Sequence, residues 1–376
     1  NIFERMEAAV RPSDRIVWVH AASLGEFEQA RPIIERLRAE HPEYKILLTF
    51  FSPSGYEIRK NYEGADYVFY LPADTPSNAR RFLDIVHPEI AIFIKYEFWI
   101  NLLSELRRRK VRSYIVSAIF RRNSVFFRPY GAMWRQALET FDTLFVQNVE
   151  SKRLLSEIGF DNVVVAGDTR FDRVAQIAAA AQRVETIERF RGGGRLFVAG
   201  STWGPDEEIL LPLVNANPDV KFVIAPHEMD EGRIAHLMRN AKGGAVRYTQ
   251  CDAATRFDDV QVLVLDTMGM LSSVYGSATW AYVGGGFGVG IHNTLEAATF
   301  GLPIAFGPNY GKFKEARDMV SLGCAVSVRT AGELAAWFAP LCDDEETLRR
   351  ASRTAKDYTA RNQGATGIIL RSIFNS

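Results

Sequence analysis

Cysteine is scarce. Cys251, Cys324 and Cys342 are the only three among 376 residues, too scattered for a disulfide framework or a C-x-x-C zinc site, which points to a reducing compartment. An excess of either charge is also missing. Lys plus Arg and Asp plus Glu both total 45, so attraction to an anionic partner must come from local clusters. No stretch approaches the roughly 18 uninterrupted apolar residues of a membrane span, and residues 1–15 carry no signal-peptide pattern. The glycines spell neither G-x-G-x-x-G nor G-K-[ST], which disfavours dinucleotide and P-loop chemistry. No RNA-binding motif accompanies the basic segments, so nucleic acid is not expected as a partner.

What is present reads as globular: 47% hydrophobic and 24% charged residues, in a chain longer than one core usually serves. Short, nearly continuous apolar runs at 16–20, 46–51, 67–71, 90–93, 114–117, 144–147 and 163–166 alternate with helical patterns, the signature of a parallel sheet covered on both faces. The pattern restarts at 196–199, 222–225, 262–265, 280–283 and 303–306. Two doubly wound α/β domains are therefore expected, 1–175 and 176–376, with a Gly-rich, charged linker near 172–195. The tail, 345–374, reads as helical and is expected to pack back on the first domain. Ligands of such sheets bind at the carboxyl ends of the strands, so facing domains would frame a cleft there.

Six segments could carry chemistry, most of them just after a strand. His20-Ala-Ala-Ser23-Leu-Gly25-Glu26 puts a carboxylate in the first turn of a helix, where it could take a proton from a hydroxyl; its S-x-x-E spacing also describes a capping box, and spacing by itself favours that reading. In Lys95-Tyr-Glu97-Phe-Trp99 the two charged side chains would share one face if the strand continued, and a strand-end ion pair would explain them as well. Arg107–Lys110, Arg121-Arg122 and Phe126-Phe-Arg128-Pro-Tyr130 interleave cations with aromatics, as suits a surface that meets phosphates and acyl chains. For Arg107–Lys110 a solvated helix face serves equally.

In the second half, Gly200-Ser201-Thr202-Trp203 precedes the acidic helix start Asp206-Glu207-Glu208, and its hydroxyls and amides could hold phosphate or a sugar carboxylate, or simply cap the helix. Pro226-His227 and Asp266-Thr-Met268-Gly269 occupy equivalent places and could read a base. Gly284-Gly285-Gly286-Phe-Gly-Val-Gly-Ile-His292-Asn293-Thr-Leu-Glu296 offers a glycine-rich loop and a helix opening at His292-Asn293, with amides for phosphates and Glu296 for ribose hydroxyls.

Taken in order, Ser23-Leu-Gly-Glu26, Glu97-Phe-Trp99, Gly167-Asp-Thr-Arg170-Phe-Asp172, Ala199-Gly-Ser-Thr202, Asp266-Thr-Met-Gly269, Val283-Gly-Gly285, His292-Asn293-x-x-Glu296 and Phe306-Gly-Pro308 resemble the 3-deoxy-D-manno-octulosonic acid (Kdo) transferases of lipopolysaccharide assembly. The resemblance implies a GT-B-like architecture, an acceptor domain followed by a CMP-Kdo domain, and inverting transfer without a metal or other cofactor. Glu26 would be the general base toward a lipid A precursor, with Glu97 beside it. Ser201, Thr202, Gly284, Gly285 and Asn293 would hold the phosphate or Kdo carboxylate, with His227 and His292 nearby. Met268 and Gly269 would line the cytosine pocket. Ser23, Gly25, Lys95, Arg121, Arg122, Arg128 and Arg170 would serve the acceptor side. The family's setting implies the cytoplasmic face of the bacterial inner membrane, peripheral contact with its surface, and an anchor preceding Asn1. Three positions depart from the family pattern: Lys95 stands where an acid is common, Arg170 where Lys is, and Pro226 where Arg precedes the histidine. Two other readings stay open: another GT-B-like enzyme acting on a UDP-sugar, such as a transferase or epimerase, and a non-catalytic membrane scaffold.

Overall fold

The structure is a computed structural model that describes residues 2–375. Two sheets of seven strands, all parallel, account for the apolar runs. The first contains β1 (Ile16–His20), β2 (Lys45–Phe50), β3 (Tyr67–Tyr70), β4 (Ile90–Ile94), β5 (Arg112–Ala118), β6 (Thr143–Val146) and β7 (Val163–Val165) in the order β3-β2-β1-β4-β5-β6-β7. The second contains β8 (Leu196–Thr202), β9 (Lys221–Pro226), β10 (Ala245–Arg247), β11 (Val262–Val264), β12 (Trp280–Val283), β13 (Ile304–Phe306) and β14 (Ala325–Ser327) in the order β10-β11-β9-β8-β12-β13-β14. Every residue of β1, β4 and β12 is buried, because helices cover both faces of each sheet and leave the central strands no polar side. Each sheet accordingly has a separate apolar core on either face.

The chain divides into two compact units, Asn1–Arg173 with Asn362–Ser376, and Val174–Arg361. The expected Gly-rich linker is not a loop. Residues Thr169–Ala180 and Glu185–Arg191 are helices, and Gly192, at φ 61°, is the left-handed residue that ends the second of them, a conformation glycine adopts without a Cβ clash. The expected helical tail is two helices. Glu345–Arg361 lies in the second unit, and only Ala365–Phe374 belongs with the first.

The Gly167-Asp-Thr-Arg-Phe-Asp172 segment explains how that last helix is held. The Asp172 carboxylate accepts from the Gly364 and Thr366 amides at 2.6 and 2.7 Å and from the Thr366 hydroxyl at 2.6 Å. A carboxylate at a helix N-terminus meets both free amides and the positive end of the dipole. Buried Asp168 accepts from Gln29 Nε2 at 2.9 Å and pairs with Arg170 at 2.8 Å, which ties helix Leu24–Glu40 to helix Thr169–Ala180.

Candidate functional site

Both sheets reverse their strand order at one place, between β1 and β4 in the first and between β8 and β12 in the second. Loops leaving two neighbouring strands in opposite directions open a crevice at such a switch point. His20 to Glu26 follow β1 and Lys95 to Trp99 follow β4; Trp203 follows β8 and Gly284 to Glu296 follow β12. Most of the side chains singled out in the sequence therefore gather at two strand-end clusters, one in each unit.

In the first cluster Ser23 and Glu26 do not form a capping box. Ser23 is the N-cap of helix Leu24–Glu40, but its side chain accepts no backbone bond. Its hydroxyl donates to Glu26 Oε2. Glu26 Oε1 lies 3.8 Å from Lys95 Nζ, with both side chains about a quarter exposed, so the pairing is partly screened by solvent. Gly25 is exposed on the same turn. The β4 strand ends at Ile94, and Lys95 turns into the left-handed region at φ 61°, a conformation costing a non-glycine residue about 1 kcal/mol. The expected shared face of Lys95 and Glu97 is lost at that turn, and so is their ion pair: Lys95 goes to Glu26, while Glu97 Oε2 takes Trp99 Nε1 at 2.8 Å and His20 Nε2 at 3.2 Å.

The basic, aromatic region splits. Phe126 is buried and stacks edge-on with Phe98, Phe120 and Trp134, so it is core rather than surface. Arg107, Arg108 and Arg109 pair with Glu139, Glu105 and Asp84 as an ion-paired helix face. Arg122 pairs with Glu157 at 3.0 Å, and Arg170 is tied to Asp168. Arg121 and Arg128 are exposed, as are Tyr130 and Met133, at 76% and 54%.

The second cluster departs most from expectation. Ser201 and Thr202 are not in a turn: β8 runs through them, bulging at Ser201, whose φ is 53°. The Thr202 hydroxyl is buried and donates to Glu207 Oε1 at 2.9 Å. The glycine loop's first amides are likewise taken. Gly284 donates to the Gly200 carbonyl at 2.9 Å, Gly285 to Asp206 Oδ2 at 3.0 Å and His292 to the Gly284 carbonyl at 3.1 Å. Glycine is required here for close backbone approach: a Cβ on Gly284 would lie 2.1 Å from the Ser201 carbonyl oxygen, and one on Gly286 2.6 Å from Gly307 Cα. The helix after the loop starts at Leu295, not at His292. Glu296 is already engaged by Asn293 Nδ2 at 3.1 Å and Ser272 Oγ at 2.8 Å. Met268 is 76% exposed beside Gly269, which is left-handed at φ 83°.

Five residues that sequence reasoning gave no ligand role, Trp203, Asp206, Glu207, Arg233 and Tyr282, organise this end of the sheet. Asp206, fully buried, accepts from the Gly285 and Trp203 amides and, at 2.7 Å, from the Tyr282 hydroxyl. Burial pushes its carboxyl above the usual range despite those bonds. Glu207 pairs with Arg233 at 2.7 Å. The Arg233 guanidinium lies 5.9 Å from the Trp203 ring, and its Nε is buried without a partner. Trp203, His227 and His292 stack in sequence, with ring centroids 4.8 and 4.3 Å apart. The available signal was the run of acids directly after a strand-end Ser-Thr-Trp; nothing in the sequence tied Arg233 to it. Among the described residues no three His, Cys, Asp or Glu side chains group as metal ligands.

Burial, and then the neighbouring His227, hold the His292 imidazole below its ordinary value. The unfolded chain therefore binds a proton that the folded one refuses once pH falls below about 6.5, and stability falls with pH in that window. Thermal unfolding measured from pH 8 to 5 is expected to show that slope, and His292→Gln is expected to flatten it.

Residues 1–173 match the family model described as 3-Deoxy-D-manno-octulosonic-acid transferase (kdotransferase). The chain is 25% identical to the 3-deoxy-D-manno-octulosonic acid transferase of Haemophilus influenzae over 96% of its length and 86% of that protein's. It is 28% identical to the Bordetella pertussis enzyme of the same name, over 95% and 86%. Among solved structures, UDP-GlcNAc 2-epimerase from Neisseria meningitidis bound to UDP-GlcNAc superposes with a TM-score of 0.67 at 16% identity, covering 96% of this chain and 100% of that one. Acinetobacter baumannii MurG gives 0.59 at 13%, with coverage of 96% and 100%. At such identities these two structures share the GT-B-like fold, and the likeness goes no further.

Proposed function

We propose that this chain, a member of the Kdo transferase family and hence a glycosyltransferase, moves Kdo from CMP-Kdo to a hydroxyl of a lipid A precursor with inversion and without a metal. The observation that carries the reading is the pair of carboxylates at the β1/β4 switch point, Glu26 and Glu97, each with one oxygen bonded. Glu26 takes the hydroxyl proton as the acceptor oxygen forms its bond to the anomeric carbon. The bond from that carbon to the phosphate oxygen breaks, and CMP leaves with the electron pair. Glu97 accepts a hydrogen bond from the acceptor and orients it. In the second unit Ser201, His227, His292 and Arg233 supply donors to the phosphate and the Kdo carboxylate, and Arg233 offers a cation one helix on from Pro226. Met268 and Gly269 approach the cytosine, and Glu296 the ribose.

The exposed Arg121, Arg128, Tyr130 and Met133 support peripheral contact with an anionic membrane surface. No described helix is long and apolar enough to cross a membrane. The cytoplasmic face of the inner membrane belongs to this proposal.

The test is incubation with CMP-Kdo and a lipid A precursor, with the product weighed by mass spectrometry. Release of CMP and a product heavier by one or more Kdo residues is expected. Folded protein that releases none, yet binds UDP in preference to CMP and GDP, would instead be a UDP-sugar transferase or epimerase.

A further inference from the structure

Behind Glu97 runs a buried polar chain that the reaction as described does not use. The parallel register of β1 and β2 sets His20 directly opposite Thr49, and Trp18, two residues before His20, reaches the same hydroxyl. Trp18 Nε1 donates to Thr49 Oγ1 at 2.8 Å; His20 Nδ1 is 2.8 Å from the same oxygen; His20 Nε2 is 3.2 Å from Glu97 Oε2. Trp18, His20 and Thr49 are all fully buried, so each of their polar hydrogens needs a partner inside the protein.

Trp99 Nε1 lies between two acceptors, 2.8 Å from Glu97 Oε2 and 3.2 Å from His20 Nε2, and counting the hydrogens decides between the two tautomers. Trp18 can only donate, so Thr49 Oγ1 accepts from it. The Thr49 hydroxyl hydrogen then needs an acceptor, and among the described groups bonded to that oxygen His20 Nδ1 is the one that can serve. A proton on Nδ1 would let Nε2 accept the longer of the two Trp99 contacts, but it would leave the buried Thr49 hydrogen without a partner and Nε2 with no hydrogen to offer Glu97 Oε2. With the proton on Nε2, Nδ1 takes the Thr49 hydrogen, and Nε2–H and Trp99 Nε1–H both turn to Glu97 Oε2, Trp99 keeping the shorter of its two contacts. Phe93 and Trp99, whose ring centroids lie 6.0 and 5.8 Å from the imidazole, confine it edge-on.

We infer that His20 is a positioning residue for Glu97, held as the Nε2–H tautomer by the proton Thr49 donates to its other nitrogen. Two N–H donors, from His20 and Trp99, then pin Glu97 Oε2. Oε1 takes no hydrogen bond from any described residue, and it is the oxygen left to meet the acceptor hydroxyl. Fixing one oxygen of a carboxylate through a buried donor chain pre-orients the other, as outer partners of a ligand or base do elsewhere. The inference rests on the reading of Glu97 as an acceptor-site group.

Nitrogen-15 NMR of the histidine-labelled wild-type protein is expected to show His20 protonated at Nε2 and not at Nδ1. Thr49→Ser keeps the hydroxyl and is expected to keep both the tautomer and kcat. Thr49→Val removes it; the imidazole proton is expected to move to Nδ1, and kcat to fall roughly 10-fold or more with the KM for CMP-Kdo unchanged. Thr49→Val also strips Trp18 of its acceptor, so a lower thermal midpoint follows on any reading, and the comparison with Ser at constant KM is what discriminates. An Nδ1–H tautomer in the wild type overturns the inference, as does a Thr49→Val enzyme with the kcat of Thr49→Ser while Glu97→Gln is crippled. Unchanged turnover in Glu97→Gln overturns the reading of Glu97 itself, whatever the tautomer of His20.

Discussion

Replacing Glu26 by Gln is expected to lower kcat for Kdo transfer by about 100- to 10,000-fold, the range over which a positioned general base acts, while leaving the fold and CMP affinity in place. Gln has nearly the same shape and can still accept the Ser23 hydroxyl that now donates to Glu26 Oε2. It cannot take a proton. Stability should change by no more than about 0.5 kcal/mol, as for other partly exposed substitutions. The competing account, a helix cap, predicts the opposite. Gln is an accepted partner in a capping box, so a cap would survive the change and turnover with it. The geometry already weighs against a cap, since neither side chain bonds a first-turn amide. Initial rates at saturating CMP-Kdo, with thermal unfolding and CMP titration of the same sample, separate the two. Wild-type kcat in Glu26→Gln would remove it as the base.

Lys95 sharpens the experiment. Its ammonium lies 3.8 Å from Glu26 Oε1, and the left-handed turn that brings it there is a local strain of the kind that collects at functional sites. That placement could not have been read from Lys95-Tyr-Glu97. Alternation along a strand puts residues two apart on one face, but the chain leaves the strand at Ile94.

The sheets were legible because their central strands are apolar on both sides, and near-continuous runs such as Ile90–Ile94 have few other uses in a globular domain. Strands β10 and β14 were not. Each is three residues long and mostly half exposed, too short for any periodicity to show. Gly192–Gly194 resembled a linker because glycine marks a flexible hinge and a helix C-terminus alike. At the site, motifs that follow strands were found where they should be. What stayed hidden was which backbone donors are still free. Gly284 and Gly285 suggest an open phosphate cradle, yet their amides are closed by Gly200 and by Asp206, 79 residues from Gly285 in the chain. Long-range hydrogen bonds of that kind leave no periodic trace.

Asp206 therefore carries the largest stability effect expected in the second unit. Asp206→Ala removes the acceptor of the Gly285 amide, the Trp203 amide and the Tyr282 hydroxyl at once, all at a fully buried position. Leaving buried donors unpaired costs about 1–3 kcal/mol apiece. A total near 3–5 kcal/mol is a large share of a domain's stability, and CMP affinity should fall with it as the glycine loop loosens. Asp206→Asn is expected to cost only about 1 kcal/mol. Its carbonyl oxygen can take the place of Oδ2 and accept both amides, while its NH2 group faces Tyr282, whose hydroxyl oxygen can turn to accept. The two variants should also differ from wild type in pH dependence. Burial raises the Asp206 carboxyl above its unfolded value, so between those two values the folded protein holds a proton the unfolded chain has released. Stability from this group is fully present below about pH 4 and is lost as pH rises through the folded value. Urea unfolding from pH 4 to 8 should show wild type losing ground to Asp206→Asn as pH rises, with Asp206→Ala well below both throughout. Equal stability of Ala and Asn would mean that Asp206 does not hold the loop.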